Sequence, residues 1–255
     1  MGLAVVTVAS GGLPVVEAAS GTPVTEAANL RGVPVTKVVG KPYGLPVTFE
    51  TIGVGGGPGI WDAATATGVT LSNGSLTATN TGTTSVNQGV RLADAAGKIS
   101  GKIYFELLIV TVSGAGQSVG IGVGTIASTF TSMGNNATVG AEGYITTRTI
   151  WSNGSSSGST IATGGIFAGS VMGIAADLDN RRIWLRPDTA SNWNNNVANN
   201  PATNVGGVVI PAGTMVPFLT FGGTGGAAGN VFTANFGATA FSGAVPSGFT
   251  GRWTA

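Results

Sequence analysis

Val171-Met172-Gly173-Ile174-Ala175-Ala176-Asp177-Leu178-Asp179-Asn180-Arg181-Arg182-Ile183-Trp184-Leu185-Arg186 reads as two strands and the turn between them. Successive side chains of a strand point to opposite faces, so Ile183 and Leu185 share one face and Trp184 takes the other. Residues 171–177 alternate in the same way. Asp179-Asn180 supplies turn chemistry, which makes the stretch a β-hairpin.

Outward from this hairpin, short runs rich in Val, Ile, Thr, Phe and Tyr alternate with Gly, Asn and Ser. Strands are predicted over 69–71, 75–80, 89–92, 102–112, 118–124, 142–147, 171–177, 182–186, 215–221 and 231–236. Many short strands between turn signals predict an antiparallel sandwich or barrel. Composition agrees: only 8% of the 255 residues are charged and 44 are Gly, which disfavours helices. Phe105, Ile121, Trp184, Phe218 and Phe236 are the expected core.

The same composition removes several functions. With no His and no Cys, the usual general base, the common catalytic triads, thiolate metal sites and disulfides are all absent. Net charge is +1, and no basic run accompanies stacking aromatics, so nucleic-acid binding is not expected. No run of about 18 apolar residues occurs, so no membrane insertion is expected. The N-terminal MGLAVVTVASGGLP lacks a basic n-region and its apolar run is broken, so it is a poor signal peptide.

Residues 1–52 carry an internal repeat. Gly2-Leu3-Ala4-Val5-Val6, Gly12-Leu13-Pro14-Val15-Val16, Gly21-Thr22-Pro23-Val24-Thr25, Gly32-Val33-Pro34-Val35-Thr36 and Gly44-Leu45-Pro46-Val47-Thr48 align, their leading glycines stepping by 10, 9, 11 and 12 residues. Each unit can supply a turn and one short strand. Pro suits a strand's first residue or an edge. Strands this short cannot bury a core alone, so the repeats are expected to stack on copies of themselves or on another chain. The expected assembly contacts are Pro14, Val15, Pro23, Val24, Pro34, Val35, Pro46 and Val47. Residues 53–59, five of them Gly, read as a hinge before a domain over 60–255.

Several blocks of the last 195 residues, in order, resemble a SPRY domain. These are Trp61 with Gly68-Val69-Thr70-Leu71-Ser72, Gly101-Lys102-Ile103-Tyr104-Phe105-Glu106, Ser118-Val119-Gly120-Ile121-Gly122-Val123, and the hairpin from Val171 to Trp184. Val216-Pro217-Phe218, Thr233-Ala234-Asn235-Phe236-Gly237 and Pro246-Ser247-Gly248-Phe249 complete the set. Asn200-Pro201-Ala202-Thr203 and the Ala-Asn-Phe-Gly ending are most similar to phage and prophage versions, and the repeat leader resembles those of phage structural proteins. The resemblance implies an all-β, concanavalin-like antiparallel β-sandwich preceded by an extended short-strand repeat segment. It also implies loops at one end that bind protein or peptide partners, with no catalytic residues. The loops 125–140, 152–165 and 189–200 depart from the family: they are rich in Ser, Gly and Asn and lack the charged and aromatic pockets of peptide-binding members. No family binding site is therefore carried over.

Among candidate chemistry, Glu106, Asp177 and Asp179 could form a glycosidase pair or a calcium site. Alternatively, Glu106 ends a strand block and Asp177-x-Asp179 flanks the hairpin turn, and this structural reading is preferred. Gly120-x-Gly122-x-Gly124 resembles a phosphate loop, but no helix follows it, so strand glycines packed under another sheet are expected. Trp151 with Asn153, and Trp193 with Asn194, lie in polar stretches. An exposed Trp beside Asn can stack on a sugar or anchor a protein contact. Alternatively, each Trp plugs an end of the sandwich, and this structural reading is preferred. Arg181 and Arg182 read as a solvated turn.

These readings converge on a non-enzymatic structural protein of a tailed phage or phage-like particle, a head decoration, head fibre or tail-fibre component. It would be made in the host cytoplasm and displayed on the virion surface. Its repeats would anchor it to capsid or tail proteins, with a homo-oligomer, a trimer above all, as the expected state. The exposed domain would bind a host-surface protein or glycan. No cofactor and no metal are expected. A secreted lectin-like adhesin is the alternative, and a polysaccharide depolymerase the third reading.

Overall fold

The structure, a computed structural model, describes residues 5–8, 14–17, 35–39, 48–52, 57–82, 88–113, 118–127, 130, 140–145, 147–164, 166–188, 191–222 and 228–254. The chain divides into two compact units, Met1–Gly57 and Pro58–Ala255.

In the first unit, β1 (Val5–Val8) pairs antiparallel with β2 (Pro14–Glu17), Val5 opposite Glu17 and Val8 opposite Pro14. In the same way β3 (Val35–Val39) pairs with β4 (Thr48–Ile52), Val35 opposite Ile52 and Val39 opposite Thr48. Pro14 opens β2, a strand position where a missing amide donor costs little. The third repeat, with Pro23 and Val24, lies outside the described residues, as do Pro34, Pro46, Val47 and residues 53–56.

The second unit contains β5 (Val69–Ser72), β6 (Thr77–Asn80), β7 (Gln88–Arg91), β8 (Lys102–Thr111), β9 (Ser118–Thr125), β10 (Gly140–Tyr144), β11 (Thr149–Ser152) and β12 (Ser155–Thr160). It continues through β13 (Val171–Asp177), β14 (Arg182–Pro187), β15 (Val208–Val209), β16 (Met215–Gly222) and β17 (Val231–Asn235). They form two antiparallel sheets, ordered β12-β11-β10-β9-β16-β7 and β15-β14-β13-β8-β17-β6-β5. The expected all-β sandwich is the fold of this unit, and no α-helix occurs among the described residues.

Alternation assigns the faces. Phe105, Leu107 and Ile109 of β8, Ile174 of β13, Ile183 and Leu185 of β14 and Phe232 of β17 meet Val119, Ile121 and Val123 of β9 and Leu219 of β16 in one core. Trp61 packs edge-on against Phe236 at 5.0 Å between ring centroids, and Trp253 against Phe105 at 5.9 Å. Both indoles are buried with their N–H groups donated to carbonyls, Trp61 to Leu76 and Trp253 to Ala96, so neither donor is orphaned. The five residues expected in the core are all buried.

The opposite face of β8, β13 and β14 is also covered. Tyr104, Ala175 and Trp184 form a second cluster under Phe241, Val245 and Phe249. The covering segment leaves the sheet at Gly237 (φ 95°), where a Cβ would meet the Gly251 carbonyl. It returns at Thr250, which accepts from Tyr104 N–H (2.9 Å) and donates its own N–H to the Lys102 carbonyl (2.8 Å). Covered on both sides, β13 is buried from Met172 to Asp177.

Three sequence expectations are corrected. Residues 152–165, read as a loop, contain β12, paired so that Ser155 faces Ser152. Between them Asn153 (φ 51°) and Gly154 (φ 75°) form a two-residue turn with both φ positive, the geometry that Asn-Gly favours. The strand expected over 142–147 runs from Gly140 to Tyr144. Gly120 and Gly122 do not pack under the other sheet: they lie beside Glu142 and Thr220 on the face turned away from the core. A Cβ on Gly120 would overlap the Glu142 carboxylate, and one on Gly122 the Ala141 carbonyl.

Candidate functional site

At one edge of the sandwich, β12 ends the six-stranded sheet and β15 ends the seven-stranded one. The Ser152 hydroxyl donates to the Val209 carbonyl and ties β11 to β15. Beside this tie runs a cleft of about 330 Å³, lined by Asn153, Ser155, Ser157, Ser159, Arg182 and residues 207–209. Ser155, Ser157 and Ser159 all line it, with β12 bulging between Ser156 and Thr160, where Gly158 has φ 75°. Where apolar side chains would close the sandwich dry, β12 presents hydroxyls.

Ser157 Oγ donates to the Ile150 carbonyl at 2.8 Å and is held in place. The hydroxyls of Ser155 and Ser159 and the amide of Asn153 make no hydrogen bond among the described residues. Arg182, half-buried on β14, donates from Nη1 to the Gly207 carbonyl at 3.1 Å. Among the described residues it has no carboxylate within ion-pair distance. Gly207 permits this approach, since a Cβ there would meet the Trp184 ring and Arg182 Cβ.

The expected ligand residues are dispersed around this edge. Asn153 stands on the cleft, in the β11–β12 turn. Trp151 lies in β11 opposite Glu142 and Ser156, half-buried, and alternates with buried Ile150. Trp193 begins a short 3-10 turn, Trp193–Asn195, and is half-buried. The Arg186 guanidinium lies 4.3 Å from its ring centroid and Tyr104 packs edge-on at 6.3 Å. Asn194 is 4% exposed. Its Oδ1 accepts from the Leu185 N–H (2.8 Å), and its Nδ2 donates to the carbonyls of Ile183 (3.3 Å) and Gly206 (3.1 Å). That amide completes the backbone bonding beside β14. Neighbouring Asn195 Nδ2 donates to Thr160 Oγ1 at 3.1 Å and joins the turn to β12. Of the expected assembly residues, Pro14 and Val15 lie in β2 and Val35 opens β3.

Arg182, read from the sequence as part of a solvated turn, is instead the first residue of β14 and half-buried, because its guanidinium is drawn to the Gly207 carbonyl; the β12 serines were missed by sequence reasoning. The signal available was Asn153-Gly154 followed by serines at alternate positions.

The carboxylates are engaged structurally. Glu106 lies within β8, not at its end, and is 3% exposed. It accepts from Tyr104 Oη (2.7 Å), Ser242 N–H (2.9 Å) and Gly243 N–H (2.7 Å). Burial, and then the Glu106 carboxylate, push the Tyr104 phenol well above its ordinary range. Asp177, at the end of β13, pairs with Lys102 at 3.1 Å and accepts from the backbone N–H (2.9 Å) and side-chain amide (2.8 Å) of Asn180. Burial pushes its carboxyl up, but the Asn180 and Lys102 contacts outweigh burial and hold it below the usual range. Exposed Asp179 accepts from the Gly101 N–H at 2.9 Å. Glu106 sits opposite Gly173 and Asp177 opposite Lys102, so four residues of strand, about 13 Å, separate the two acids. Glycosidase carboxyls stand about 5–9.5 Å apart. Glu142, 1% exposed, accepts from Thr220 Oγ1 at 3.0 Å. Among the described residues, no three His, Cys, Asp or Glu converge in a metal-holding group.

No protein-family model matches the chain, and no curated protein matches it. Among solved structures it is similar to the SPRY domain of human HERC1, at 12% identity and a TM-score of 0.49, over 71% of this chain and 99% of that one. It is also similar to stonustoxin, at 12% identity and a TM-score of 0.49, over 69% of this chain but only 28% of the toxin chain.

Proposed function

We propose that this chain is a non-enzymatic structural protein of a tailed phage or phage-like particle, anchored by its N-terminal repeats, with the sandwich exposed for binding. The observation that carries a binding role is the contrast between its polar groups. Glu106 and Asp177 are engaged by backbone and side-chain donors, whereas Asn153, Ser155, Ser159 and Arg182 converge on a surface cleft with hydrogen-bonding capacity to offer. The anchoring role is supported by the repeats themselves: four of the five contribute to β1–β4, which pair only as two separate two-stranded units among the described residues. The experiment is immunogold labelling of purified particles with an antibody raised against the sandwich. Labelled particles support the reading. Unlabelled particles, with the protein free in the culture medium, would favour the lectin-like secreted adhesin, the second reading for which the polar cleft speaks.

A further inference from the structure

The lining of the edge cleft is selective in its chemistry. Among the described residues it is lined by neither a carboxylate nor an aromatic ring; the charge there is Arg182, and the apolar side chains are Val208 and Val209. A ligand held here meets one cation and a row of hydroxyl and amide groups. At about 330 Å³ the cleft falls at the small end of ligand cavities, roughly 300–1,000 Å³.

We propose that this cleft binds a carboxylate-bearing sugar residue, of the uronic or sialic type, at the end or within the chain of an acidic glycan. The inference rests on the reading of the sandwich as an exposed binding module and names the ligand class of its edge. Arg182 supplies the carboxylate site. A guanidinium has five N–H donors in a planar fork that matches a carboxylate. One of these donors is fixed on the Gly207 carbonyl, which holds the fork in position and leaves the others for a ligand. The hydroxyls of Ser155 and Ser159 and the amide of Asn153 supply the sugar sites, because each can both donate and accept, as ring hydroxyls require. Ser155, Ser157 and Ser159 all line the cleft, a row of three side chains that is more than a single inorganic anion engages. A neutral sugar would leave the guanidinium without a counter-charge, and a free anion would leave the hydroxyl row unused.

The test is titration calorimetry and saturation-transfer NMR on the full-length chain with four probes: glucuronate, N-acetylneuraminate, glucose and inorganic phosphate. At least one acidic sugar is expected to bind, with glucose and phosphate weaker by about tenfold or more. Arg182→Met should weaken the acidic sugar by about tenfold. Because Arg182 also anchors Gly207, Ser155→Val provides a second variant, whose lost hydroxyl has no partner among the described residues. It should weaken the sugar several-fold, with the melting temperature unchanged. The proposal is overturned if neither acidic sugar binds, if glucose or phosphate binds equally well, or if Ser155→Val and Arg182→Met both bind as wild type. Particle labelling is independent of these titrations. A labelled particle whose protein ignores acidic sugars overturns this inference alone.

Discussion

The Arg186 guanidinium stands 4.3 Å from the centroid of the Trp193 ring, and Arg186 Nη2 donates to the Ala244 carbonyl at 3.3 Å. One side chain thus joins the 3-10 turn after β14 to the segment that covers the outer cluster. Replacing Trp193 by Ala should remove both the cation–π contact and the edge-on contact with Tyr104. The expected cost is about 1–3 kcal/mol, read as a lower urea midpoint. A midpoint unchanged by Trp193→Ala would show that the ring does not brace the fold.

Phe236 ties the C-terminal end of β17 to the main core. It is fully buried between Trp61 at 5.0 Å and Phe105 at 5.6 Å, measured between ring centroids. Phe236→Ala should cost about 3–5 kcal/mol, because the cavity is walled by rigid aromatics that cannot collapse into it. Equilibrium urea unfolding checks this, and a cost below about 1 kcal/mol would place Phe236 outside the core.

Acid stability should depend on Asp177. Its folded-state pKa is lowered, so its contribution is complete above the ordinary carboxylate range and is lost as pH falls through the folded value. Asp177→Asn should cost about 3 kcal/mol at pH 7, because it leaves Lys102 without its buried partner. At a pH below the lowered value, the variant and wild type should converge. Parallel urea curves at a series of pH values descending from pH 7 test this; a gap that stays constant throughout would remove Asp177 from the pH dependence.

Glu106 should matter for stability and not for hydrolysis. Glu106→Gln turns an amide toward donors that now meet a carboxylate, so a loss of about 2–3 kcal/mol is expected. Neither protein should release oligosaccharide from host polysaccharide. Release by the wild type that disappears in Glu106→Gln would make this residue catalytic and overturn the non-enzymatic reading.

How far these sites were legible in the sequence depended on how local their causes are. The hairpin from Val171 to Arg186 was legible because its alternation and its Asp179-Asn180 turn lie within one short stretch. It pairs Asp177 with Arg182 as expected. β12 was not legible by hydrophobic pattern, since Ser155–Thr160 carries no apolar residue. Its signal was turn chemistry, Asn153-Gly154, which fixes a tight hairpin whatever follows. Asn153 was singled out for an exposed amide and does face the cleft, but it also makes the turn. Asn194 lies in a run of asparagines that looks solvated. Its burial depends on the carbonyls of Ile183 and Gly206, 11 and 12 residues away, which only the folded edge brings together. The cleft itself arises where two sheet edges meet, through Ser152 and Val209, 57 residues apart. Nothing local in the sequence encodes that meeting.

Anchoring by the repeats is the central claim, and deleting residues 1–52 tests it most directly. Five short repeat units rich in Val offer apolar burial at about 25 cal/mol per Å², against ordering costs of about 1–2 kcal/mol per residue. Partner chains, in a symmetric oligomer or by strand addition to a capsid or tail protein, would supply further burial, and strand pairing beyond the β1–β2 and β3–β4 pairs. The measurement is quantitative immunoblotting of purified particles made with the full-length or the shortened chain, alongside sedimentation and thermal melting of each purified protein. The shortened chain is expected to be folded, monomeric and missing from particles. Incorporation at the full-length level, or a full-length chain that is monomeric with residues 1–52 protected from proteolysis, would contradict the claim.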